Sequence, residues 1–119
     1  MRQGFAHEAL LSMDPGTDTG APGAAVTVEL CGHWQHEPPC PLSPHHTRVE
    51  RCEGMVRLRV LFAVEAQQES EVRQRINRGL SAGQVAEPDE TSPRWQLVSS
   101  MPSAVLPSER EHVQRLIQS

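Results

Sequence analysis

Met55-Val56-Arg57-Leu58-Arg59-Val60-Leu61-Phe62-Ala63-Val64-Glu65 is the stretch on which the fold turns. Side chains of an extended strand alternate between two faces. Val56, Leu58, Val60, Phe62 and Val64 therefore line one face. Arg57, Arg59 and Glu65 take the other, with Met55, Leu61 and Ala63 between them. This is the pattern of a half-buried β-strand. Immediately behind it the period changes. Val72, Ile76 and Leu80 recur every four residues, and Glu69/Arg73 and Glu71/Arg75 pair at i,i+4 with the acid first, so residues 67–80 read as an amphipathic helix. Gly79 and Gly83 supply its stop.

Downstream, a polar connection over residues 84–93 carries Pro88 and Pro93 and leads to a strand at 94–100. Pro102 and Pro107 bracket an extended piece. Ser108-Glu109-Arg110-Glu111 then has the form of a capping box, opening a last helix striped by Val113, Leu116 and Ile117. Upstream, residues 24–34 alternate as a first strand. Val26, Val28, Leu30 and Trp34 share one face; Thr27, Glu29, Cys31 and His33 share the other. Residues 1–23 are expected to be disordered and outside the fold. Phe5, Ala9 and Leu10 mark one weak helical turn there, and Asp14 to Gly23 is rich in breakers and poor in anything to bury. Translation starting at Met13 is the plainer alternative.

The expected architecture is a single α+β domain over residues 24–119 in the order β-β-α-β-α. A three-stranded sheet would carry both helices on one face, an outline that resembles a truncated ferredoxin-like unit. The other face, with Thr27, Glu29, Cys31, His33, Arg57, Arg59 and Leu61, would stay open. Partly apolar as it is, it suits a homodimer contact.

A chain of 119 residues fits one domain, and 37% hydrophobic content makes its core thin enough to gain from a metal or a partner subunit. All eleven basic residues are arginine, net charge is −4 and the two signs are mixed along the chain. That balance argues against nucleic acid, which needs a clustered basic surface, and against an anionic membrane. No apolar run approaches the ~20 residues of a membrane span. The first residues lack the apolar core of a secretory signal and include Glu8, so the expected location is cytoplasmic, with cysteines as reduced thiols or metal ligands.

The connection from Gln35 to Gly54 is long for a compact domain. With the end of the first predicted strand, residues 31–52 hold all three cysteines and four of the six histidines. Thiolate and imidazole are the ligands zinc prefers, four at a time. Cys31 and His33, two apart on a strand, would project together. With Cys40 and His46 they form the expected zinc set, and His36, His45 and Cys52 are reserves; a soft-ligand site also admits Cu(I). Closing a loop of about 20 residues costs roughly 2–3 kcal/mol. Structural zinc supplies ~10 kcal/mol, so the balance permits a metal-ordered loop. The spacing C-x-H-x2-H-x3-C-x4-H-H-x5-C matches no familiar finger or ribbon. The opposing reading therefore makes these solvated histidines and a small buried Cys31. A Cys31–Cys52 disulfide is a third reading.

Three functions follow in order. The first is a small accessory or interaction protein, homodimeric and stabilised by structural zinc. The second is a metal-free interaction module using its open sheet face or its Pro-rich loop. The third is an enzyme using a thiol–imidazole pair (Cys31 with His33, or Cys40 with His36) or a loop metal beside Glu29, Glu37, Glu50 or Glu53. There is no P-loop, dinucleotide fingerprint or nucleophile elbow. Trp34 and Trp95 are expected in the core, His112 at a helix boundary, and Arg57 and Arg59 on a solvent face.

Overall fold

The computed structural model describes residues 1–31, 43–85, 88 and 92–118, with the backbone alone at Cys31. Four strands and three helices alternate along it: β1 (Gln3–Met13), α1 (Ala21–Cys31), β2 (His45–Cys52), β3 (Met55–Val64), α2 (Glu69–Ser81), β4 (Trp95–Ser103) and α3 (Arg110–Ile117). A 3-10 turn precedes each of α2 and α3. The sheet is antiparallel throughout, in the order β2-β3-β1-β4. The α+β class is as expected, but the sheet has four strands where three were expected.

β3 is a central strand, as its doubly apolar sequence requires. Its Val56, Leu58, Val60, Phe62 and Val64 join Val26 and Leu30 of α1 and Val72, Ile76 and Leu80 of α2 in the main core. Leu61 and Ala63 point to the opposite face and meet Val113 and Leu116 of α3. The helices thus divide between the two faces, contrary to the expectation of both on one. α3 covers the half of its face holding Ala6, Leu61 and Ala63; Leu10, Arg57 and Met101 lie outside that cluster.

The largest departure concerns the first residues. Far from lying outside the fold, β1 is the other central strand, paired with β3 over ten positions and with β4 on its far side. Ala9, Leu11 and Met13 enter the main core, and Phe5 stacks on Phe62 with ring centroids 5.5 Å apart. Gly4 and Ala6 on the opposite face leave room for α3, since a Cβ at Gly4 would stand 2.0 Å from Val113 Cγ1. Small residues and a buried histidine replaced the β-branched residues that usually announce a strand.

Residues 21–31 are a helix, which corrects the expected strand at 24–34. Val26 and Leu30 are compatible with both periods, being two pairs apart on a strand and one turn apart on a helix. Buried Ala21, Ala25, Val26 and Leu30 follow the helical one. Pro22 sits in the first turn, where its missing N–H is no loss. Gly79 continues α2 instead of stopping it: it is buried against the Ala25 carbonyl, at the place where α1 crosses. Trp95 closes that helix by donating its indole N–H to the Leu80 carbonyl at 2.8 Å.

The expected connection at 35–54 also contains a strand, β2, the charged edge of the sheet. A two-residue turn, Glu53 (φ 51°) and Gly54 (φ 80°), joins it to β3. Both residues have positive φ, as a type I′ hairpin demands, and only Gly54 adopts it without strain.

Candidate functional site

Where β2 and β3 meet the start of α3, the face carries a small cleft of about 90 Å³, lined by His46, Arg48, Arg59, Leu61, Ser108, Glu109 and His112. Strand register builds it: His46 lies opposite Leu61, and Arg48 opposite Arg59. Like charges directly opposite on neighbouring strands repel unless an anion intervenes. Glu109 supplies one. Its carboxylate takes Arg59 Nε at 2.9 Å and Nη2 at 2.8 Å, while its Oε1 also accepts the Leu106 N–H at 2.9 Å. The cap is therefore Glu109 reaching back to Leu106 across the 3-10 turn that leads into α3, two residues ahead of the Ser108 box expected.

Arg59 spends its remaining N–H groups on Glu8 (3.3 Å), Ser103 (2.9 Å) and the Ala104 carbonyl (3.0 Å). All five of its donors are thereby used. The hydrogen bonds that Arg59 donates to Glu109 hold the guanidinium above its ordinary pKa and the Glu109 carboxyl below its own. Arg48 is left with one long approach to Glu109, 3.7 Å, and its side chain is 57% exposed. Above this pair the rings of His46 and His112 sit 4.2 Å apart at a tilt of 36°. Burial, followed by the charges of His112 and Arg48, lowers the His46 pKa.

A second constellation lies on the other face, under α2. Arg73 Nη1 donates to the Ala6 carbonyl at 2.8 Å and contacts His7 Nδ1 at 3.0 Å; His7 Nε2 is 2.7 Å from Ser100 Oγ, which in turn meets Asn77 Oδ1. Arginine has no acceptor, so His7 Nδ1 must accept and the ring proton resides on Nε2. Ser100 then receives that proton's hydrogen bond and passes its own to Asn77. The direction is opposite to the one that activates a serine, where the imidazole accepts from the hydroxyl. Burial, then the Arg73 charge, depress the His7 pKa to about 4, which keeps the ring in the neutral form that this chain of bonds needs.

The third feature is the open part of the sheet. Glu8, Leu10, Arg57, Ser99 and Met101 surround a shallow depression there. Beside it β4 bulges: Leu10 faces Ser99 and Leu11 faces Leu97, so Val98 is the extra residue. Val98 and Met101 are 54% and 51% exposed.

His33 and Cys40, with the reserve His36, lie outside the described residues, as does Trp34. Cys31 ends α1 rather than sharing a strand face with His33. His45 and His46 are neighbours on β2 and face opposite sides. His45 turns toward α1, with Thr27 Oγ1 at 3.1 Å and the Ser43 carbonyl at 3.2 Å, so both of its ring nitrogens are engaged. Cys52 is a free thiol at the far end of β2, about 23 Å of strand from His45. Because Thr27 lies at His45 and Gly23 at Thr47, α1 runs antiparallel to β2 and delivers Cys31 beyond His45, away from Cys52. A disulfide between the two is out of reach. Among the described residues no three of His, Cys, Asp and Glu gather as a metal group. Arg59, expected on a solvent face, is instead buried against Glu109, and His112, expected at a helix boundary, lines the cleft; Arg48 and Glu109 were not singled out as site residues. Arg59 in a strand whose two faces are both apolar nearby was the available signal that it would need a buried partner.

No protein-family model, no curated protein and no solved structure matches the chain. Among the described residues no helix is long and apolar enough to cross a membrane.

Proposed function

We propose that the chain is an interaction module of ferredoxin-like build that associates with a second copy of itself through β4 and the open part of the sheet. The support for that build is the order β-α-β-β-α-β with strands β2-β3-β1-β4, in which each β-α-β unit is split by a strand of the other. The observation carrying the association is the contrast between the two edges. β2 presents Arg48, Glu50 and Arg51, charges of the kind that keep an edge from pairing. β4 carries no charged residue from Trp95 to Ser103 and exposes half of both Val98 and Met101.

A second copy is the favoured occupant because the surface is self-complementary. The apolar strip of Leu10 and Met101 is flanked by Arg57 and by Glu8 and Glu50, both signs within one patch, as a two-fold contact requires. Sedimentation equilibrium on the intact chain tests this. A dimer that Met101→Glu converts to monomer, with the melting temperature of the monomer kept, supports it. A wild-type chain that stays monomeric at about 100 μM removes it, since an affinity weaker than that leaves no functional dimer.

A structural zinc ion on Cys31, His33, Cys40 and His46 is the competing proposal. The guanidinium of Arg48 on the same cleft as His46 weighs against a cation there.

A further inference from the structure

We infer that the His46–Arg48–His112 cleft is a binding site for a phosphate group, independent of the self-association proposed above. The argument begins with its donors. Of the charges lining the cleft, Arg59 and Glu109 satisfy each other through two short hydrogen bonds, and Arg59 has no donor left for a ligand. Arg48 is the cation in excess. It stands opposite Arg59 in the strand ladder, but Glu109, the anion between them, gives its short hydrogen bonds to Arg59 and stays 3.7 Å from Arg48, the one ion pair Arg48 has among the described residues. A ligand anion beside Arg48 completes its pairing.

The other groups fit the same ligand. His46 from β2, and His112 and Ser108 from the helical segment that begins at Pro107, bring two imidazoles and a hydroxyl to the same small space. A neutral imidazole still offers one N–H, so both rings can donate without first gaining a proton. Donors thus converge from two elements onto about 90 Å³, closed below by the buried side chain of Leu61. Such a convergent set suits a tetrahedral oxyanion better than a planar carboxylate, which is best held by a single guanidinium edge. A divalent cation is the wrong sign: it would sit beside Arg48 while the one carboxylate of the cleft is held by Arg59.

Inorganic phosphate and a phosphomonoester present the same group and differ only in the substituent. The cleft opens to solvent, since His46, Arg48 and Ser108 are exposed, so a substituent has a way out.

The test follows the ring resonances of His46 and His112 by NMR while inorganic phosphate, phosphoserine or acetate is added at fixed pH and ionic strength. Saturable shifts of both rings with phosphate, at a Kd of about 1 mM or tighter, and weakening of about tenfold in Arg48→Gln are the expected results. Arg48 is exposed enough that its replacement leaves the fold intact, and the unchanged amide spectrum of the variant verifies this. Tighter binding of phosphoserine identifies a monoester as the ligand; equal binding identifies free phosphate. Absence of saturation, equal affinity in Arg48→Gln, or acetate binding as well as phosphate overturns the site, as does a response to zinc alone.

Discussion

Arg59 and Glu109 meet through two parallel hydrogen bonds, Nε to Oε2 at 2.9 Å and Nη2 to Oε1 at 2.8 Å, with side chains only 8% and 5% exposed. The pair joins the middle of the sheet to the first turn of the last helix, and the same carboxylate caps that helix at Leu106. Removing one partner strands a buried charge. Glu109→Gln is expected to lower stability by about 3 kcal/mol, read as a shift of the urea midpoint. Arg48→Gln, which removes only the exposed 3.7 Å partner, should shift it by less than about 1 kcal/mol. Equal effects from the two changes would show that the buried pair has no special weight.

His7 makes stability depend on acidity. Its folded pKa, about 4, lies below the ordinary 6.5, so the unfolded chain takes up a proton that the folded chain refuses. The contribution is complete above pH 6.5 and is lost as pH falls from there to 4, amounting to about 3 kcal/mol. His45 and His46, also depressed, act in the same direction. In His7→Gln the slope of stability against pH across this window should flatten. An unchanged slope in urea titrations at pH 7, 6, 5 and 4 would assign the dependence elsewhere.

A chain beginning at Met13 loses β1 and with it the strand that bonds both β3 and β4. That truncated chain should show no cooperative melt and a collapsed amide spectrum. A melting temperature within a few degrees of the full chain is incompatible with β1 in the centre of the sheet.

Gly4→Ala places a methyl 2.0 Å from Val113 Cγ1, where neither the strand nor the short branched side chain can yield. The expected cost is roughly 1–3 kcal/mol, as for other overpacked sites. Val113→Ala on top of it should return part of the loss, a negative coupling visible in a double-mutant cycle. Strictly additive effects would mean that α3 does not pack over Gly4.

Chelator treatment of untagged protein is expected to leave the melting temperature unchanged, because His45, His46 and Cys52 diverge. About one zinc per chain by mass spectrometry, with a lower melting temperature after its removal, would restore the ligand set centred on Cys31, His33 and Cys40.

How much of this was legible depended on whether one period dominated locally. β3, α2 and β4 were readable at close to their observed limits, because Val56 to Val64 and Val72 to Leu80 each fit a single period. Val26, Val28 and Leu30 fit two, and the packing of α1 against Gly79 of α2 decided between them, a contact no local pattern contains. β1 carried its alternation through Phe5, Ala9, Leu11 and Met13, but His7 interrupted it, and the ring partners that make a buried histidine acceptable there, Arg73 and Ser100, lie 66 and 93 residues away. The cleft was hidden for the same reason. Arg48 and His46 were visible as residues of a polar connection, whereas their facing Arg59, Glu109 and His112 arise from strand register and from where α3 lands.

The central place of β1 also sets the order in which the molecule can be made. Glu8 lies across from Met101, so β1 bonds to β4, a strand from which it is separated by the helices α1 and α2 and by the β2–β3 hairpin. During synthesis β1 has no neighbour until β3 is complete, and its second edge stays bare until β4 has emerged. Local helices can form early, but closure of the sheet waits for β1 and β4 to meet. Such distant pairing slows folding and prolongs the exposure of unpaired strand to other nascent copies. The vulnerable moment of this protein therefore falls during its synthesis, before β4 is available to cover β1.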